Sequence, residues 1–210
     1  MFCTKCERLC RFIEENKKKY PSFFNAPVPA FGDDDPVLMI IGLAPGLKGA
    51  NQTGRPFTKD YAGHLLYDTL LRYGWATGLY EESVNDSLRL VKSRITNAVK
   101  CVPPENKVTT REIINCNEYL KKELSACPHL KVVLSLGTVS HDAVCKAFGL
   151  KKSAYPFRHN GFHRLPNGVF LLDSYHCSKY NTSTKKLTPE MFRQVFDTIK
   201  TLTNDEERRQ

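Results

Sequence analysis

VLMIIGLAPGLKGANQTGRPF, residues Val37–Phe57, decides how this chain is read. Val37 to Ile41 run apolar without a break and stop at Gly42. A short apolar run bounded by turn residues reads as a fully buried strand of a parallel sheet. The loop that follows carries Gly42, Gly46, Gly49 and Gly54. Glycines let backbone N–H groups come close to a ligand at the carboxyl end of a strand, where open α/β sheets place their sites. Glycine alone fits an ordinary turn equally well. The ordered string Ala-Pro-Gly, Gly-Ala-Asn, Thr-Gly-Arg-Pro-Phe argues for a site.

Working outward, Tyr61–Tyr73 reads as a helix with Leu65, Leu66, Thr69 and Leu70 on one side and Gly74 as its stop. Leu90–Val99 is β-branched and alternating, a second strand. Thr109–Ala126 is a helix capped by Thr109 or Thr110, with Glu112 in its first turn. Lys131–Gly137 is a third strand, Ser140–Phe148 a helix, and Val169–Ser174 a fourth strand. Thr188-Pro189-Glu190 opens a last helix with Met191, Phe192, Val195, Phe196 and Ile199 as its core stripe. Upstream, a short helix starts near Cys6. Strands alternating with helices give an α/β fold with three layers, α/β/α, around a four-stranded parallel sheet. Functional loops should gather at one edge, after Ile41, Val99, Gly137 and Ser174.

The 210 residues, 41% hydrophobic and 25% charged, suit a single domain over 1–203 with a polar tail over 204–210. No run is apolar and long enough for a bilayer span, and the N-terminus lacks a signal pattern. The expectation is an intracellular monomer of the cytoplasm and nucleoid, or of a nucleus or organelle. A net charge of +9 favours a polyanion partner.

Eight cysteines in such a protein point to metal or redox roles, not to a disulfide framework. Cys3-x-x-Cys6 is a tight pair, with Cys101 after the second strand and Cys116 within the next helix. Four thiolates can hold zinc or an iron–sulfur cluster. Zinc ribbons bring two tight pairs, so one tight pair with two distant ligands tilts toward a 4Fe–4S cluster. Cys10, one helical turn past Cys6, is a rival ligand. Cys145 reads as a small core residue. Clamping so long a chain closure makes the metal structural.

These residues name a family. Gly42–Phe57 resembles the first motif of the uracil-DNA glycosylase superfamily, specifically its family 5, the type-b enzymes. Asn97–Lys107, NAVKCVPPENK, resembles the second-strand motif with its cluster cysteine, and His176–Thr182, HCSKYNT, the last motif. Two departures stand out. Family 4 carries an acid where this chain has Leu43, and Cys177 replaces the usual Pro after the motif histidine. The resemblance implies a four-stranded parallel sheet and a structural 4Fe–4S cluster on residues matching Cys3, Cys6, Cys101 and Cys116. It further implies removal of uracil, and in family 5 of other deaminated bases such as hypoxanthine, from DNA.

A base inside a duplex must swing out to be reached. Gly42, Leu43, Ala44, Phe57 and Asn97 are expected around it: Phe57 stacks on the ring, and the Asn97 amide pairs with its O4 and N3–H edge. The family reading sets His176 against uracil O2, where negative charge develops. Asp60 orients water at the anomeric carbon, or instead caps the helix beginning at Tyr61. Lys48, Asn51, Arg55, Ser178 and Lys179 are expected to grip DNA, with Tyr180 as a wedge in the gap. The competing reading is a non-catalytic nucleic-acid-binding α/β module with a structural metal site.

Overall fold

The computed structural model describes residues 3–207. In chain order, α1 is Glu7–Lys19, β1 Phe31–Gly32, β2 Leu38–Gly42, α2 Ala50–Thr53 and α3 Tyr61–Arg72. Then come β3 Ala76–Thr77, β4 Arg89–Leu90, β5 Ser93–Asn97, α4 Thr110–Ser125, β6 Val132–Leu136 and α5 Thr138–Ala147. The chain closes with β7 Phe162–Arg164, β8 Phe170–Ser174, α6 Lys179–Ser183 and α7 Pro189–Glu207.

The main sheet runs β1-β5-β2-β6-β8-β7. Its middle four strands are parallel, as the buried apolar runs require. The expected four strands are extended to six by short antiparallel edges, β1 on β5 and β7 on β8. Alternation along each strand feeds two cores. Leu38, Ile40, Leu134 and Leu172 meet Leu66 and Leu70 of α3 and Phe192, Val195 and Phe196 of α7. Met39, Ile41, Val133 and Leu171 face α4 and α5 through Leu120, Leu124 and Val144. Both faces of β2 are therefore covered, which is why five consecutive residues can be fully buried.

Local chemistry fixes the ends. Thr109 and Glu112 close a capping box on α4. Met191 N–H donates to Thr188 Oγ1 at 3.2 Å, capping α7. That helix continues to Glu207, through residues expected as tail; 208–210 lie outside the described residues. Among the described residues no helix is long and apolar enough to cross a membrane.

The register sets the site. Gly42 lies opposite Asn97, and Leu136 opposite Ser174. The connections that leave β2, β5 and β8 thus emerge side by side at the carboxyl edge.

Candidate active site

The loop after β2 is held by a buried strut. Arg55 donates from Nη1 and Nη2 to the two carboxylate oxygens of Asp86 at 2.7 and 2.8 Å, and from Nε to Thr58 Oγ1 at 2.6 Å. Burial disfavours the charge on Arg55, but the Asp86 hydrogen bonds outweigh it and raise its pKa; Asp86 in turn is lowered to about 2. Tyr67 Oη donates to Pro56 O at 2.5 Å. Anchored this way, Phe57 and Lys59 are held in the left-handed region at φ 58° and 61°. Non-glycine residues adopt that region only where the surroundings enforce it. The result turns Phe57 inward and delivers Asp60.

Asp60 does not cap α3 with its side chain. Its carboxylate turns back to the glycine loop, where Oδ2 accepts the Ala50 N–H at 3.1 Å and Gly46 N–H also contributes. A Cβ at Gly46 or Gly49 would overlap that carboxylate, so glycine is required by close approach at both places. Burial raises the Asp60 pKa, and the two backbone N–H groups oppose the rise. No cation is paired with it in the structure among the described residues.

Gly42 is bare for a similar reason: a Cβ there would strike Asn97 Oδ1 and the Phe57 ring. Asn97 is positioned from behind by buried Lys100, whose Nζ donates to Asn97 O at 2.8 Å and to Glu123 Oε2 at 2.6 Å. The Gly42 and Leu43 carbonyls accept from Ala98 and Val99 at 2.9 Å, extending the parallel ladder. The Leu43 and Ala44 N–H groups have no main-chain acceptor in the loops of the described residues.

From β8, His176 arrives across this loop. Its ring stacks 6.1 Å from that of Phe57, at 25°. Asn181 Nδ2 donates to His176 O at 2.8 Å, and Ser178 caps α6. Burial alone lowers the His176 pKa to about 4, and its buried Nδ1 has no hydrogen-bond partner. The imidazole is therefore neutral at ordinary pH. Cys177, standing where the family has Pro, is fully buried in the core.

Leu43, Ala44, Phe57, Asp60, Asn97, His176, Ser178 and Lys179 together line one cavity of about 440 Å³. Gly42 lies beneath it, behind Phe57 and Asn97. Tyr61, Pro103 and Asn106 line it as well and were not singled out in the sequence. Pro103 and Asn106 lie within the quoted NAVKCVPPENK segment, which was the available signal. Lys48, Lys179 and Tyr180 are exposed around the mouth-forming loops. Two expectations are corrected. Asn51 is 0% exposed, its Nδ2 donating to Asn25 Oδ1 at 2.9 Å, and Arg55 is 5% exposed on Asp86. Neither offers surface to a duplex, because each closes the loop from inside.

A second hollow is lined by Cys3, Cys6, Cys10, Cys101 and Cys116. All are free thiols. Asn115 Nδ2 lies 3.6 Å from Cys6 Sγ and Lys100 N–H 3.4 Å from Cys116 Sγ. Burial and then the neighbouring thiols push the Cys101 pKa up to about 12. No three Cys, His, Asp or Glu side chains among the described residues form a ready-made site for a metal ion. The donor set nonetheless fits a sulfur-bound group: it is all thiol, convergent and supplied with N–H donors.

Residues 29–200 match the family model of the uracil DNA glycosylase superfamily. The type-5 uracil-DNA glycosylase of Thermus thermophilus is 42% identical over 205 residues, covering 95% of this chain and 93% of its own length. That of Pyrobaculum aerophilum is 36% identical over 197 residues, covering 92% and 85%. A type-4 uracil-DNA glycosylase of Saccharolobus solfataricus is 27% identical over 197 residues, covering 87% and 81%. The crystal structure of Pedobacter heparinus SMUG2 superposes with a TM-score of 0.51 at 13% identity, covering 95% of this chain and 86% of that one. At that identity the likeness speaks for the fold alone.

Proposed function

Since the chain belongs to the uracil-DNA glycosylase superfamily, among relatives of the type-5 group, we propose that it hydrolyses the N-glycosidic bond of uracil in DNA, acting on a base swung out of the duplex. The observation that carries this reading is convergence: Phe57 and Asp60, Asn97, and His176 come from three distant stretches and line one cavity. The extruded ring stacks on Phe57, and Asn97 pairs with its O4 and N3–H edge. As the bond lengthens, the sugar becomes oxocarbenium-like and the base gathers negative charge. His176, neutral by burial, donates an N–H to O2, with the Leu43 and Ala44 amides beside it. A neutral donor suits this task, since it stabilises the anion without first binding a proton from solvent.

Asp60 orients the water and balances the sugar cation. Leu43 supplies no acid, which leaves Asp60 as the carboxylate of the cavity. The cavity's 440 Å³ admits a two-ring base, so hypoxanthine is a second substrate. Lys48, Ser178 and Lys179 meet phosphates, and Tyr180, 74% exposed on α6, fills the gap left by the base. A uracil-containing duplex incubated with the protein and heated in alkali should break at the uracil. An intact strand, with binding retained, would leave only a DNA-binding module.

Cys3, Cys6, Cys101 and Cys116 hold a 4Fe–4S cluster in this reading. Zinc needs its sulfurs about 2.3 Å from one centre, whereas a cluster gives each thiolate its own iron. One tight pair and two distant ligands, all lining one hollow, favour the latter. When bound, the cluster ties the start of the chain to the β5 connection and α4, and it takes no part in base removal. Brown protein containing iron on anaerobic purification is expected; colourless zinc protein would overturn this.

A further inference from the structure

Five thiols line a hollow in which a cluster needs four. We infer that Cys10 is a reserve ligand for that cluster, able to take the place of Cys3; this rests on the cluster reading above.

The five positions are not equivalent. Cys6 and Cys116 each have a nearby N–H donor, from Asn115 and from the Lys100 main chain. Such donors orient and hold ligand sulfurs. Cys101 lies in the connection that leaves β5 and shares the hollow with the other four thiols. Cys3 differs: it lies ahead of α1 in irregular chain, and its sulfur is met by the Tyr119 hydroxyl instead of an N–H. Cys10 sits on α1 itself, one turn past Cys6, its N–H donating to Cys6 O at 2.9 Å. Its neighbours Leu9 and Ile13 bury that face of the helix. The Cys10 sulfur is 3.5 Å from Cys3 O, so the two residues share one corner of the hollow. A thiol fixed on helical backbone therefore stands beside one carried on irregular chain.

The exchange is a ligand substitution. Cys10 gives its thiol proton to solvent and its sulfur bonds to the iron that Cys3 leaves. The Cys3 thiolate takes up a proton. Cluster charge and oxidation state stay the same, and no oxidant or reductant is needed.

The test compares the full chain, purified anaerobically, with Cys3→Ser, Cys10→Ser and the double variant. Readouts are iron content, visible absorbance and iodoacetamide alkylation mapped by mass spectrometry, with far-UV circular dichroism reporting the fold. In the parent protein Cys10 should be alkylated while Cys3, Cys6, Cys101 and Cys116 are protected. Cys3→Ser should keep the parent's iron content and absorbance, and its Cys10 should become protected. Cys10→Ser should also keep the cluster, whereas the double variant should lose it. Folded Cys3→Ser that has lost its iron as fully as the double variant overturns the inference and leaves the cluster standing. So does Cys10 protected in the parent and essential on its own, which would make it a primary ligand. A parent protein without iron removes the cluster reading and this inference together.

Discussion

His141 and His176 are both enclosed by the same fold, yet their environments drive them in opposite directions. His176 has burial and no partner on Nδ1, and its pKa falls to about 4. His141 is 1% exposed, and burial works against its charge too. There, however, Nδ1 faces Asp173 Oδ1 at 2.8 Å and Nε2 faces Tyr155 O at 2.7 Å, and the pKa rises to about 10. Two acceptors require two N–H donors, so His141 is an imidazolium. Asp173 also accepts from Ser135 Oγ at 2.6 Å and, weakly, from Arg158 N–H at 3.4 Å. The comparison teaches that burial sets the default, and a fully satisfied acceptor set reverses it. A satisfied histidine pins β8 to α5 and to the Tyr155 segment. An unsatisfied one at the end of the same strand is left ready for a ligand.

The sharpest way to break this contrast is His141→Ala. It strands Asp173 without its cation at 0% exposure, and removing one member of a buried pair costs about 3–5 kcal/mol. Thermal or urea unfolding should register that loss, while protein still folded at low temperature continues to cleave. His176→Ala should do the reverse. Single-turnover base release should fall roughly 10²–10³-fold, the cost of removing one preorganised donor to a developing anion. Stability should change by only about 1 kcal/mol, since no hydrogen bond of the ring is lost. Equal damage to both properties in either variant would erase the distinction.

The same contrast extends to carboxylates. Asp173 has a cation, whereas Asp60 is held only by backbone N–H groups and its pKa is raised. Asp60→Asn should slow single-turnover cleavage by roughly 10²-fold, the lower end for positioned proton-transfer groups. Its fold should persist, because Asn can still accept the Ala50 N–H. Unchanged kinetics would remove Asp60 from the chemistry.

Much of this was legible in the sequence, for identifiable reasons. Val37–Ile41 announces a strand covered on both faces, and the Thr109/Glu112 pair announces a capped helix. Asp60, Asn97 and His176 were legible because each sits at a strand end or loop and matches a family motif. Arg55 and Asn51 misled because a polar residue in a ligand-like loop looks the same whether it points out or in. Their partners, Asp86 and Asn25, lie 31 and 26 residues away and carry no signal of pairing. The edge strands Phe31–Gly32 and Phe162–Arg164 are too short for any periodicity, so a six-stranded sheet read as four. The His141–Asp173 pin was invisible too: it joins a helix to a strand 32 residues on.

The finest test of the comparison is the shape of stability against pH. A histidine has an unfolded pKa near 6.5. Below that value the unfolded chain protonates His176's equivalent while the folded chain does not until about pH 4. Folding therefore loses stability as pH falls from 6.5 toward 4. His141 behaves oppositely: its stabilisation is complete below 6.5 and is lost as pH rises toward about 10. The two histidines thus place the wild-type maximum between their windows. Urea titrations at stepped pH should give His176→Ala a flatter acid limb and an unaltered basic one. Cys145→Ala should act least. Its sulfur lies 3.4 Å from His141 Nε2 and helps raise that pKa, so its loss should end the basic decline at slightly lower pH. Small as it is, that displacement is informative because it must appear on the basic limb alone. A shift of the acid limb in Cys145→Ala would mean that the two histidines are coupled through β8, and that the pin and the pocket are one device.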